Sequence, residues 1–292
     1  MSERFDVRVV GSANLDIVAT TTRHPLPGET VHGEQYHEYP GGKGLNQAVS
    51  AARSGARVAF VGAVGNDAAG DRLVEVLLTD GIDATDVTRV NGATGRAVIV
   101  VDEHGENTIV VVPGANADVV YGPTGSAANV VLAQLEIPTT TVAAALTAAR
   151  ADRSITVLNP SPATPLAIEL IEVCDVIVPN EHEVALLGGV DVLLGSGCGA
   201  VVVTLGGNGV DVHTSNGVEH LAAFSVEVVD TTGAGDAFCG ALASRLAAGD
   251  PLAAAVRWAS AAGALATTRY GAVPAQPTAA AISALLVEQP DR

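Results

Sequence analysis

A rhythm constrains this chain more than any single residue does. Short β-branched runs alternate with alanine-rich helical stretches: VRVVGS, GLNQAVSAARSG, ARVAFVGAVG and AGDRLVEVLLTDG follow one another early in the sequence. A βαβα succession of this kind places its apolar strands side by side in one direction and covers them with the intervening helices. The rhythm returns in SITVLNP, DVIVPN, EHEVALLGG, AVVVTLG and GAGDAFCGALASRLAAG. The expected fold class is α/β, a mostly parallel central sheet covered by helices on both faces. Aromatic residues are only 3% of a chain that is 48% hydrophobic, so alanine and valine supply the packing.

Two segments, about 14–40 and 94–113, break the rhythm and read as strands without helices between them. The second is a hairpin, RAVIVVDEHGENTIVVVP, with a polar turn at Glu103–Glu106. Together they predict a small β-sheet lid on a single domain spanning 1–292, since no linker, fixed-period repeat or low-complexity tail divides the chain. Its valine and isoleucine faces would be costly to leave in water, which points to a second copy of the chain covering them.

The formal charge of −17 leaves no basic stripe for a nucleic acid backbone. An apolar signal run is missing at the N-terminus and no segment has the length of a membrane span, which predicts a cytoplasmic protein without a membrane partner. Cys174, Cys198 and Cys239 are odd in number and widely spaced, as expected of reduced core thiols. The seven histidines are dispersed and are assigned no chemistry.

Glycine-rich loops carry the chemistry. GGKG at 41–44 is not a phosphate-binding P-loop, because Gly44 stands where Ser or Thr is needed. GSANLD after the first strand is not GxGxxG, which disfavours a nicotinamide-dependent dehydrogenase. The strongest signal is VVDTTGAGDAFCGAL at 228–242: a β run ending at Asp230, a glycine turn, then a helix from near Ala234. Amide N–H groups converge there at the positive end of a helix dipole, making an anion hole beside Asp236. Lys43 is the only lysine in a chain with fourteen arginines, set among three glycines. A slender ammonium threads between close-packed backbones where a guanidinium fork would not.

With GSANLD, GGKGLNQAV and DTTGAGDAF in one order, and with GETV, GENTIVVVPGANA, QLEIP, NPSPA, PNEHE and TLGGNG between and around them, the sequence resembles the ribokinase family of carbohydrate kinases from Gly11 to about Pro277. The resemblance implies transfer of the γ-phosphoryl group of ATP to a sugar hydroxyl, O5 of D-ribose. It makes Asp236 the catalytic base, with the amides of Gly233, Ala234 and Gly235 stabilising the transferring group. It gives Asn14, Asp16, Gly42, Lys43, Asn46 and Glu136 to the sugar, and Thr204, Gly206, Gly207, Gly209, Gly235, Asn180 and Ser260 to the nucleotide. Asn180 and Glu183 would support Mg²⁺ through water. Asp230 and the carbonyls of Thr232, Ala266, Arg269 and Gly271, with Ala275 where a serine is common, would surround a K⁺ ion. Homodimers through the lids are implied as well. Leu45 departs from the small residue usual there, so another sugar, deoxyribose, a nucleoside or fructose, stays open as the acceptor. A non-catalytic sugar-binding protein on the same scaffold is the alternative from a different class.

Overall fold

The computed structural model describes residues 4–122, 127–166 and 168–290. In chain order its elements are β1 (Phe5–Val10), β2 (Asn14–Thr20), β3 (Gln35–Gly41), α1 (Lys43–Arg53), β4 (Val58–Gly65), α2 (Ala68–Thr79), β5 (Val87–Val90), β6 (Gly95–Val101) and β7 (Asn107–Val112). The second part contributes β8 (Ala128–Gln134), α3 (Thr139–Ala151), β9 (Ile155–Asn159), α4 (Ile168–Glu172), β10 (Val176–Ile177), α5 (Glu181–Leu186), α6 (Val190–Gly195) and β11 (Ala200–Thr204). Then come β12 (Val210–Thr214), β13 (Gly217–Leu221), α7 (Ala234–Ala247), α8 (Leu252–Ala266), α9 (Ala272–Ala275) and α10 (Ala279–Glu288).

The large sheet runs β13-β12-β11-β10-β9-β8-β1-β4-β5. From β11 to β5 every neighbour is parallel, and β12 and β13 close one edge as antiparallel strands. Successive side chains of a strand point to opposite faces, and the core divides accordingly. Val9, Val130, Val157 and Val202 pack with α1, α7, α8 and α10. Their neighbours Val10, Val131, Leu158 and Val201 pack with α3 and the short helices on the other face. Continuous apolar runs such as VVLA are what a strand covered on both sides requires.

One expected strand is missing. Residues 222–230, including the valine-bearing SVEVVD, join no ladder. The amides of Val229 and Asp230 instead donate to the Thr267 carbonyl at 2.8 and 3.0 Å, which ties this segment to the end of α8 rather than to the sheet.

The second sheet runs β3-β2-β6-β7, with β2 and β6 parallel and the other pairs antiparallel. Residues 21–34, expected to continue as strand, form the connection between β2 and β3. The β6–β7 hairpin turns at 102–106, where the Asp102 side chain accepts from the amides of His104 and Glu106. Asn116 fastens the root of this sheet. Its Oδ1 accepts from the Ala13 amide at 2.9 Å, and its Nδ2 donates to Asn14 Oδ1 at 2.7 Å.

Candidate active site

The motif loops gather beyond the C-terminal ends of β1, β8, β9, β10 and β11, the edge at which helix N-termini of an open parallel sheet converge. The glycines around Lys43 have a steric cause. A β-carbon on Gly44 would stand 2.5 Å from the Ser12 nitrogen, and Gly42 holds φ at 88°. This backbone-to-backbone approach brings the Lys43 amide to 3.0 Å from Glu136 Oε2, which also accepts from the Ser12 hydroxyl at 2.6 Å. The Lys43 side chain is half-buried, not an exposed surface lysine. Burial works against its charge, but the carboxylates of Asp236, Glu136 and Glu183 outweigh that and hold the ammonium above its ordinary pKa.

Asp236 lies in the first turn of α7 and is 7% exposed. Gly233 caps that helix in the left-handed region, φ 78°, and its carbonyl accepts from Ala237 at 2.8 Å. The Ala234 amide, expected to face the phosphoryl group, is bonded to the Thr231 carbonyl at 3.2 Å. Among the described residues the amides of Gly233, Gly235 and Asp236 make no such bond, and those of Gly233 and Gly235 lie in the glycine turn where an anion is expected. Both carboxylate oxygens of Asp236 are held from α1: Asn46 Nδ2 donates to Oδ2 and Gln47 Nε2 to Oδ1, each at 2.9 Å. Asn46 Oδ1 is buried without a partner among the described residues, an acceptor awaiting a hydroxyl.

Asp16 on β2 stands beside these groups, its carboxylate lying over the backbone of Gly41. Burial, then the charges of Glu136 and Asp236, push its pKa up to about 7. Asn46 bonds to Asp236, Glu136 accepts from the Lys43 amide, Gly42 lies against the Asn14 backbone, and Asp16 feels the charges of Glu136 and Asp236, so these residues cluster at the foot of the small sheet.

Two joined cavities extend from this cluster. A polar one of about 250 Å³ is lined by Lys43, Asn159, Asn180, Glu183, Gly235 and Asp236. A mostly apolar slot of about 270 Å³ follows, its walls including Gly207, Val210, Phe224, Val228, Ser260 and Ala264. Both share Thr204, Thr231 and Gly235, so a long ligand with an apolar head and a charged tail fits across them. Gly206 and Gly209 also border the slot, and the Ser260 hydroxyl is buried without a partner among the described residues. Asn180 and Glu183 form a capping box at the start of α5: Glu183 N donates to Asn180 Oδ1 at 2.7 Å and Asn180 N to Glu183 Oε2 at 2.9 Å. The cap and the cavity wall are one structure, because the second oxygen of Glu183 is left for solvent or ligand.

A model described as pfkB family carbohydrate kinase matches residues 4–279. The chain belongs to the pfkB family. Ribokinase from Staphylococcus aureus (strain COL) is 38% identical to it over 287 residues, which is 91% of this chain and 94% of that one. The crystal structure of ribokinase from Thermotoga maritima aligns with a TM-score of 0.89 at 37% identity, over 96% of this chain and 99% of that one. Arabidopsis thaliana ribokinase complexed with ribose and ATP aligns with a TM-score of 0.91 at 31% identity, over 97% and 99%. The expected fold class and the expected kinase family both hold.

In this pfkB chain the residues expected around a monovalent cation come from two loops that Asp230 draws together. Its Oδ1 accepts from the Thr232 amide and its Oδ2 from the Gly271 amide, each at 2.9 Å. Burial works against the charge of Asp230, yet the bonds from Gly271 and Thr232 hold its pKa below the ordinary value. The carbonyls of Ala266 and Arg269 lie at and just past the C-terminal end of α8, where a helix dipole favours a cation. The Gly271 carbonyl accepts from Ala275 at 3.3 Å as α9 begins, and Ala275 itself is buried and offers only backbone. Among the described residues no group of three or more His, Cys, Asp or Glu side chains is arranged to hold a metal ion, and no helix is long and apolar enough to cross a membrane.

Several site residues lie outside the expected set: Ser12, Gln47, Asn116, Gln134, Asn159, Thr231 and Phe224. Gln47 had a visible signal, since LNQAVS places three polar residues inside a helix that glycines and alanines mark for burial. The three cysteines are free and buried. Cys239 lines the polar cavity, and burial pushes its thiol well above the ordinary range, which makes it wall rather than nucleophile.

Proposed function

We propose that this chain transfers the γ-phosphoryl group of ATP to O5 of D-ribose, giving D-ribose 5-phosphate and ADP. One observation carries the reading: Asp236, held at both oxygens, lines the polar cavity beside Lys43 and the free amides of Gly233 and Gly235. Asn14, Asp16, Gly42, Lys43, Asn46 and Glu136 hold the sugar, since its hydroxyls both donate and accept and these groups offer the matching atoms. Asp236 takes the proton of O5 as that oxygen bonds to the γ-phosphorus. The bond from phosphorus to the bridging oxygen breaks, and its electron pair leaves on ADP. Gly233 and Gly235 amides, with Lys43, meet the charge on the transferring oxygens. The base sits in the apolar slot by Ser260, with Thr204, Gly206, Gly207 and Gly209 along its edge. When bound, Mg²⁺ neutralises phosphate charge. Glu183 and Asn180 would orient its waters, which suits an ion that dehydrates reluctantly. K⁺ would lie against Asp230, Thr232, Ala266, Arg269 and Gly271, supporting the loop before α7. Buried, unpaired cysteines and the use of ATP support a cytoplasmic setting.

Release of ADP measured with ribose, deoxyribose, fructose and nucleosides tests this. Ribose is expected to give the highest kcat/KM by about tenfold or more, in line with the cost of leaving a buried hydroxyl partner unpaired. Turnover in K⁺ buffer should exceed that in Na⁺ buffer at fixed Mg²⁺. Silence with every sugar would overturn the proposal, and equal rates in the two salts would remove the cation.

The lids support a dimer. β7 is exposed along its length, and Val98, Ile109, Val110, Val111 and Val112 expose apolar side chains together on the two paired strands β6 and β7. Sedimentation is expected to give a dimer that Val110→Asp dissociates; a wild-type monomer at assay concentration would contradict it.

A further inference from the structure

We propose that Gln47 is a positioning residue for the transfer: through a chain of buried amides anchored on a backbone carbonyl, it presents an N–H to Asp236 Oδ1 and fixes the carboxylate toward the acceptor hydroxyl. The inference rests on reading Asp236 as the base. The chain begins at the Val178 carbonyl, which accepts from Asn159 Nδ2 at 2.9 Å. A carbonyl can only accept, so the Asn159 nitrogen must face it and Asn159 Oδ1 must turn toward Gln47. That oxygen in turn can only accept, and Gln47 Nε2 lies 3.1 Å from it. The second hydrogen of the same nitrogen reaches Asp236 Oδ1 at 2.9 Å. Gln47 Oε1 is engaged from the far side by Gln134 Nε2 at 2.5 Å. Flipping any of the three amides would set donor against donor or oxygen against oxygen in a site where Gln47 and Gln134 are 0% exposed.

The orientation of the base is therefore set by the main chain just past β10, and transmitted through β9 and α1. Close packing makes the reach possible. A β-carbon on Gly240 of α7 would stand 2.3 Å from the Gln47 carbonyl oxygen, so α1 and α7 touch through their backbones and short amides span the gap. Asn46 holds one carboxylate oxygen from the same helix turn. With Asn46 alone the carboxylate could rotate about its last bond, and with Gln47 it cannot.

Steady-state kinetics on Gln47→Leu, Gln134→Leu, Asp236→Asn and the Gln47→Leu/Asp236→Asn double variant test the proposal. Gln47→Leu should lower kcat by about 10–10²-fold with KM for sugar and ATP within about threefold of wild type, because the loss falls on orientation in the transition state. Gln134→Leu, one bond further away, should cost about 3–10-fold in kcat. In the Asp236→Asn background Gln47→Leu should cost less than about threefold, since it acts through the carboxylate. A kcat near wild type, or the same loss in both backgrounds, would overturn the role of Gln47. An Asp236→Asn enzyme of near wild-type rate would instead remove the base assignment itself. Should Gln47→Leu fail to fold, Gln47→Met, which keeps the length of the side chain but neither the donor to Asp236 nor the amide acceptor, enters the same cycle.

Discussion

Asp236→Asn is expected to lower kcat by about 10²–10⁴-fold while leaving ATP binding nearly unchanged, the usual range for loss of a positioned general base. The cause is local. Asp236, itself 7% exposed, accepts from Asn46 and Gln47 at once, which leaves its carboxylate fixed. Asparagine keeps the shape, but whichever way its amide turns, its NH₂ confronts one of those two donors, and it cannot accept a proton. The nucleotide slot is lined by Gly207, Val210, Phe224 and Ser260 and involves none of these bonds. Turnover by coupled ADP release and nucleotide affinity by calorimetry would separate the two effects. A variant turning over at the wild-type rate would leave Asp236 without a catalytic role, and one that also lost ATP affinity would make its role structural.

Much of the fold was legible because burial writes itself into strands. Runs such as VVLA and AVVV, apolar at every position, belong to strands with helices on both sides, and these lie in β8 and β11. SVEVVD, with three valines, also reads as a strand and is none, since pattern cannot say whether a ladder partner exists; the amides of Val229 and Asp230 donate to the Thr267 carbonyl instead. GAGD was legible as a helix start because glycine alone settles easily at the φ of 78° held by Gly233. Which amides remain free was not legible: that Thr231 takes the Ala234 N–H depends on how the turn closes. The amide chain through Gln47, Gln134 and Asn159 joins residues 87 and 112 positions apart, so no local spacing announces it. β12, VDVHT, alternates apolar and polar residues as a strand near an edge should, yet the direction of the β12–β13 hairpin follows only from the short turn at residues 215–216.

Sugar binding should weaken as pH falls through about 7, the value to which Asp16 is pushed by burial and by the charges of Glu136 and Asp236. Lys43 belongs to the same cluster, but its proton stays on throughout this range because those carboxylates hold its pKa up. An ionised Asp16 accepts from sugar hydroxyls with both oxygens, and protonation removes one acceptor and the charge that strengthens the other. KM for ribose is expected to be about tenfold higher at pH 6 than at pH 8, as for a ligand that favours the ionised form of a group titrating near neutrality. Asp16→Asn should raise KM by about 10²-fold, the cost of one or two charge-assisted hydrogen bonds, and abolish that slope while kcat changes little. Stability runs the other way. A carboxyl whose pKa is raised on folding favours the folded state below its ordinary value near 4, and that contribution is lost as pH rises through about 7. The ligand-free Asn variant should therefore gain in Tm relative to wild type as pH goes from 5 to 8. A KM for ribose that is flat between pH 6 and 8 in the wild-type enzyme, with no such divergence in Tm, would mean that Asp16 is already ionised at pH 6 and that the three carboxylates do not share one cluster.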